Sequence, residues 1–234
     1  LDRQSEYFAD YAKRFTDLPF AVVLKSDGDR YVSHRFLRAS DLGLSVNNAE
    51  WKTAYCDERT QQFVVPNGSI GFRWNEEGRW NLKSEDSLTG SSVDPLLTFG
   101  ENNHGWVSVG FPFFGADASS VKIGAVPVRK IQAAGNEFIV TTVFDLLVAH
   151  MGLDRGQGGD VASTYDDPKP YTPAWQEEIT GCARQEVIRV AREFAENAEK
   201  TGGKSMIFLG PGVNHWFHSD TAYRAILNLT SLCG

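Results

Sequence analysis

Apolar positions along this chain change their spacing several times, and each change marks an element. Between Ser5 and Thr16 they fall at Tyr7, Phe8, Tyr11, Ala12 and Phe15, the three-and-four spacing of a helix, with Ser5 placed to cap it. Pro19 stops that helix, and residues 20–24 (FAVVL) form an unbroken apolar run of the kind a strand buried on both faces carries. Lys25-Ser26-Asp27-Gly28-Asp29 is hairpin-turn chemistry, with Tyr31-Val32 opening the return strand. From 51 to 115 the character shifts to Gly, Asn, Ser and aromatic residues. Short strands are expected there at 51–55, 62–65, 71–74 and 107–110, with Asn67-Gly68, Asn75 and Glu77-Gly78 at turns. Residues 83–105 show little periodicity and read as a long exposed loop.

Regular spacing returns further on. Strands are predicted at 126–131 and 138–142 around Ala134-Gly135-Asn136, and Thr142 is placed to cap a helix over 143–151 with Phe144, Leu147, Val148 and Met151 on one face. Glycines over 152–159 break the chain. Thr172 then caps a short helix with Pro173 at its first position, and Gly181 closes it. The following helix carries Val187, Ile188, Ala191, Phe194, Ala195 and Ala198 on its core face and Glu186, Arg189, Arg192, Glu193 and Glu196 toward solvent. Thr201-Gly202-Gly203 ends it, and 206–209 (MIFL) reads as a second strand buried on both faces. A glycine turn and a last helix, with Ala225, Ile226, Leu229 and Leu232 on its apolar face, follow. Together these predict an α/β fold: a parallel-sheet α/β segment with helices on both faces, carrying an irregular β-rich insertion, and part of a larger multidomain fold. The expected divisions are a helix–strand start at 1–50, the insertion at 51–125, and an α/β unit at 126–234.

Composition narrows the functional classes. With 234 residues, 41% hydrophobic and 23% charged, the chain can bury a substantial core. Its net charge of −7, with no lysine- or arginine-rich run, argues against a nucleic-acid partner. No apolar run approaches the roughly 20 residues of a membrane helix, so no direct membrane span is expected. The start, Leu1-Asp2-Arg3-Gln4, carries no leader pattern, and both ends read as those of a piece taken from a longer chain. Cys56, Cys182 and Cys233 are widely spaced, without a C-x-x-C pair. A cysteine zinc site or a cysteine-ligated iron–sulfur cluster is therefore not expected, and Cys182 and Cys233 read as small buried apolar residues in a reducing compartment.

The sharpest candidate chemistry is the turn from Gly210 to His218, GPGVNHWFH. Gly210 and Gly212 permit close backbone approach, Pro211 stiffens the loop, and Asn214 and His215 offer neutral donors and acceptors suited to a phosphate, a pterin edge or an oxyanion. The same pattern also fits a plain strand-to-helix turn in which Asn214 caps the last helix. His215 and His218 stand three apart, but no further ligand pattern accompanies them, so no metal site is assigned. Asp166 and Asp167 precede a proline and read as turn formers. No G-x-S-x-G elbow, phosphate-binding G-x-x-x-x-G-K-[ST] or G-x-G-x-x-G appears, so no residue is assigned a catalytic role. Trp74, Trp80 and Trp106 leave open a non-catalytic carbohydrate-binding module.

Read in order, the segments EYFADYAKRFTDLPF, FLRASDL, EWKT, VPNGSIGFRW, VGFPFFG, TTVFDLLVAHMGLDRG, ASTYDDPKPYTPAW, AREFAENAEKTGGKSM and GVNHWFH resemble the molybdopterin oxidoreductase superfamily, and within it the catalytic α subunits of membrane-bound respiratory nitrate reductases. The resemblance covers nearly the whole chain and marks it as an internal fragment. It implies a parent with molybdenum on two pterin guanine dinucleotides (a molybdenum bis(molybdopterin guanine dinucleotide) centre) and an iron–sulfur cluster not ligated by this fragment. The partners it implies are the remainder of the α subunit, an iron–sulfur β subunit and a haem-containing γ subunit, at the cytoplasmic face of the bacterial cell membrane. The reaction implied is reduction of nitrate to nitrite with electrons from quinol, or of perchlorate, selenate or a hydrocarbon in related members. The family's aspartate ligand to molybdenum lies upstream, so Asp17, Asp166 and Asp167 do not take that role and the fragment alone is expected to be inactive. By the same resemblance Gly210, Gly212, Asn214, His215 and His218 face the cofactor. Pro211 and Cys182-Ala183 depart from the usual wording of the family, as does the composition of the insertion.

Overall fold

The computed structural model describes residues 5–66, 84–117 and 120–233. The strand expected at 71–74, the turns at Asn67-Gly68, Asn75 and Glu77-Gly78, and Trp74 and Trp80 lie outside these described residues. Helix α1 (Glu6–Phe15) forms at the predicted spacing, burying Phe8 and Ala12; Ser5 stands at its N-cap without a capping side-chain bond. The apolar run becomes β1 (Ala21–Asp27), with Ala21, Val22, Val23 and Leu24 all buried. Gly28, at φ 67°, turns the chain into β2 (Arg30–Phe36).

The rest of the main sheet comes from β5 (Trp106–Phe111), β6 (Lys122–Pro127), β7 (Arg129–Ala133) and β8 (Asn136–Thr142), while β3 (Tyr55–Cys56) and β4 (Phe63–Val64) pair separately as a small ladder. The six-stranded order is β6-β5-β2-β1-β8-β7. Three antiparallel hairpins thus lie side by side, joined by antiparallel β1–β8 and by β2–β5, where Tyr31 pairs with Val109 in parallel. The α/β class holds, with a mixed sheet whose parallel pairing, among the described residues, is that of β2 with β5. Val128 divides the stretch predicted as one strand at 126–131 into the end of β6 and the start of β7. Ala134 and Gly135, both with positive φ, make the tight β7–β8 turn.

Each face of the sheet has a different cover. On one, helix α2 (Val143–Met151) packs Leu146 and Ala149 against Leu24, Val109, Phe111, Val126 and Val128. Gly124 is required there, because a Cβ at that position would stand 2.9 Å from the Ala149 Cβ and 3.0 Å from its carbonyl oxygen. On the other face, Ala21, Val23 and Val140 meet Leu37, Ala39, Ala54, Cys56, Val65, Leu96 and Phe99 from irregular chain. Residues 84–105 are therefore not the exposed loop expected: Val93, Leu96, Leu97 and Phe99 are buried. Their spacing follows no regular period because isolated bridges, such as Asp57 with Pro95, set the chain's path instead of a helix or strand.

Residue Asp145 locks α2 to that irregular layer. Thr142 caps the helix by accepting the Asp145 amide at 3.0 Å, and the fully buried Asp145 carboxylate accepts bonds from Thr142 Oγ1 at 2.9 Å and the Phe99 amide at 3.0 Å. It also accepts from Thr98 Oγ1 at 2.5 Å and pairs with Arg155 at 2.6 Å. At the other end of α2, Gly152 adopts the left-handed form and Lys122 Nζ lies 3.4 Å from the Ala149 carbonyl, placing a buried ammonium at the helix's negative end.

Three further helices follow: α3 (Pro173–Thr180), α4 (Arg184–Thr201) and α5 (Ser219–Cys233). Thr172 caps α3 and Gly181 ends it with φ 72°, as the sequence predicts. On α4 the expected core face is shallow: Ala198 is buried, Val187, Ile188 and Phe194 are half-buried, and Ala191 and Ala195 are exposed. No described helix is long and apolar enough to cross a membrane.

Candidate cofactor-facing turn

The candidate turn is approached through α4. Gly202 ends that helix in the left-handed region, and Gly203, at φ 81°, runs so close to α1 that a Cβ would stand 2.8 Å from Tyr7 Cδ2. Ser205 is buried and bonded to the Phe194 carbonyl and Asn197. From there the chain extends through 206–209 without a described strand beside it. Met206 and Phe208 are 74% and 89% exposed, while Ile207 and Leu209 are half-buried. The prediction of a strand buried on both faces fails within this chain, because such burial needs a neighbour on either side and the described residues supply none. The alternation of a strand survives.

Residues Pro211–His215 form a 3-10 turn, and Gly210 enters it in extended conformation. Gly210 and Gly212 both face open space: a Cβ at either would meet no heavy atom within 4 Å. The chain's own packing therefore sets no need for glycine at these positions. Asn214, His215 and His218 are exposed, flanked by exposed Trp216 and Phe217. His218 takes a positive φ of 59° and its carbonyl receives the Thr221 and Ala222 amides at the start of α5. Asn214 does not cap α5. Its Oδ1 accepts the hydroxyl of Tyr223, a partner one turn into α5 that no motif in the sequence singled out. The Asn214 Nδ2 group bonds no described residue. The structure brings Gly210, Gly212, Asn214 and His215 together on one turn, with His218 at its exit.

Other polar clusters look inward. His150 stacks on Phe111 at 5.1 Å between ring centres and meets the Tyr171 hydroxyl at 2.8 Å; burial, with Lys122 nearby, pushes its imidazole below the usual range. Burial likewise lowers the Lys122 ammonium. Buried Arg129 donates to the Asn102 carbonyl at 2.9 Å, contacts Cys56 Sγ at 3.1 Å, and lies over the Phe99 ring. Burial raises the Cys56 thiol, an effect the guanidinium opposes. Cys182 is exposed and Cys233 half-buried, correcting the expectation that both sit in the core: Cys182 follows the left-handed Gly181 in the α3–α4 link, where nothing covers it. Asp167 is the turn former predicted, accepting the Ser163 and Thr164 amides, while Asp166 pairs with Arg184 at 2.9 Å. Trp106 is half-buried, with the Arg155 guanidinium 5.9 Å from its ring centre, which leaves it poorly placed as a sugar platform.

Amide and imidazole groups on an open turn offer hydrogen bonds of the kind the organic part of a nucleotide-bearing cofactor takes. Among the described residues no group of three or more His, Cys, Asp or Glu side chains is placed to hold a metal ion.

Comparison with known proteins gives the class. The whole chain is 44% identical over 234 residues to the nitrate reductase alpha chain of Bacillus subtilis (strain 168) and 45% identical over 248 residues to the respiratory nitrate reductase 1 alpha chain of Escherichia coli (strain K12). At 26% identity over 99% of its length it also matches the perchlorate reductase subunit alpha of Dechloromonas aromatica (strain RCB). No family model matches. The chain spans about a fifth of the length of these curated relatives, 19% and 20% of the first two. Its class is thus that of the molybdopterin oxidoreductase alpha subunits. Within the class it belongs to the nitrate reductase alpha-chain family, as a segment of such a chain, and that family implies a molybdenum cofactor in the whole protein.

Proposed function

We propose that this chain is the part of a respiratory nitrate reductase α subunit that forms one wall of its cofactor site. The parent takes electrons from quinol through an iron–sulfur β subunit and a haem-containing γ subunit, at the cytoplasmic face of the cell membrane. When bound, the molybdenum bis-pterin guanine dinucleotide would supply the two-electron chemistry by which nitrate, taking up two protons, becomes nitrite and water. The residues of this chain bind and orient: Asn214 and His215 contact the cofactor's organic portion, Gly210 and Gly212 admit it, and His218 borders it. The iron–sulfur cluster and the metal ligand belong to other parts of the parent, so this segment alone does not catalyse. The observation that carries the reading is the chain-long similarity to nitrate reductase alpha chains.

The test is nitrate reduction by the full-length protein, with a reduced viologen as donor and perchlorate and selenate as rival substrates. Nitrate should be the preferred substrate. A molybdenum-loaded enzyme that prefers perchlorate would move the assignment to the branch represented by the 26% identical relative.

A further inference from the structure

We propose that Tyr223 is a positioning residue that fixes the polarity of the Asn214 amide, so that this turn presents a hydrogen-bond donor and selects an acceptor on its ligand. The inference rests on the reading of Asn214 as a cofactor contact.

A carboxamide has an accepting and a donating end of almost the same size, and a free asparagine can turn either toward a ligand. Here Tyr223, whose phenol is a better donor than acceptor, favours the oxygen end. The Tyr223 hydroxyl, carried on α5, donates to Asn214 Oδ1 across nine residues of chain. With its oxygen held, the amide directs Nδ2 elsewhere, and no described residue takes those hydrogens. The turn itself is stiff, with Pro211 at its first position, the Trp216 amide bonded to the Val213 carbonyl and the Ser219 amide to the Trp216 carbonyl, so the amide is held at both backbone and side chain. Beside it, the open faces of Gly210 and Gly212 leave room for a ligand. A ring carbonyl of a fused pyrimidinone or a phosphate oxygen satisfies such a donor; an amino or ammonium group does not.

The experiment uses the full-length enzyme with Asn214→Ala, Asn214→Asp, Tyr223→Phe and the double variant Asn214→Ala/Tyr223→Phe. The readout is the rate at which guanine nucleotide, quantified after acid hydrolysis, is lost from the protein in mild urea, with molybdenum content measured in parallel. Asn214→Ala should speed release by about threefold to tenfold, the range for one lost hydrogen bond. Asn214→Asp keeps an acceptor for Tyr223 but has no N–H, and should release at least as fast. Tyr223→Phe should give a smaller increase, about twofold to fivefold, and the double variant should be no faster than Asn214→Ala, because Tyr223 acts only through that side chain. If both Asn214 variants hold the cofactor like the wild type, the cofactor-contact reading itself falls. If Asn214→Ala speeds release but Tyr223→Phe does not, or the two effects add, the contact stands and the positioning role is overturned. Wild-type retention by Asn214→Asp alongside a defect in Asn214→Ala would overturn the donor polarity.

Discussion

Replacing Asp145 by alanine should destabilise the chain more than any exposed substitution, because one carboxylate holds four donors at the junction of two layers. The side chain is fully buried and bonded to Thr142, Thr98, the Phe99 amide and Arg155. Removing one partner of a buried ion pair costs about 3–5 kcal/mol. Arg155 retains 21% exposure, which brings the ion-pair loss toward the lower end of that range. The Phe99 amide, left without an acceptor in a buried position, adds about 1–3 kcal/mol. The expected total is about 4 kcal/mol, or a melting temperature lower by about 8–16 °C for a domain of this size. Asp145→Asn should cost less than Asp145→Ala, since it keeps one acceptor even though it turns an N–H toward existing donors. Arg155→Met leaves the fully buried carboxylate without its countercharge and should cost about 3–5 kcal/mol, toward the lower end because three neutral donors remain. Urea unfolding followed by circular dichroism gives the three values. A loss below about 1 kcal/mol for Asp145→Ala, or a larger loss for Asp145→Asn than for Asp145→Ala, would refute the account of Asp145 as the hub.

Three further outcomes are expected. Gly124→Ala should cost about 1–3 kcal/mol by urea unfolding, since its methyl would meet Ala149 at 2.9 Å and push α2 off the sheet. Burial holds the His150 imidazole below its ordinary value, so folding favours the neutral ring: its contribution is complete above the unfolded pKa of about 6.5 and is lost as pH falls below it. The urea midpoint should therefore drop between pH 7 and pH 5 in the wild type, and drop less in His150→Gln. A disulfide-exchange reagent should label exposed Cys182 at once, half-buried Cys233 slowly and buried Cys56 only on unfolding; early labelling of Cys56 would contradict its place in the core.

How much of this was legible beforehand depends on where each element finds its partners. The first helix, the β1–β2 hairpin, the caps at Thr142 and Thr172 and the left-handed stop at Gly181 are decided within a few residues, and all form as the spacing predicts. Burial of Val93, Leu96, Leu97 and Phe99 was illegible because these side chains follow no period; Leu96 and Phe99 pack with Cys56, Val65 and the sheet, and Leu97 packs against α1 and α2. The pairing of β1 with β8 and the sandwiching of Lys122 against the end of α2 depend on contacts far apart in sequence. At the candidate turn, Asn214 and His215 could be named from residue type, but the Tyr223 bond could not, since it depends on how the 3-10 turn feeds α5. The 206–209 run shows the opposite error: its apolar composition reports a covering that the described residues do not contain.

The nested order of the sheet has a consequence for synthesis on the ribosome. Each hairpin can close as soon as its two strands have emerged, but β1 stands at the centre and its outer neighbour β8 lies about 120 residues later. At about 5–20 residues per second, translation leaves an apolar strand edge waiting roughly 6–24 s for its permanent partner. During that interval residues 20–24 are a natural target for a holding chaperone. The late arrival of β8, more than the strength of any single contact, would then set when the nascent sheet stops being vulnerable to mispairing.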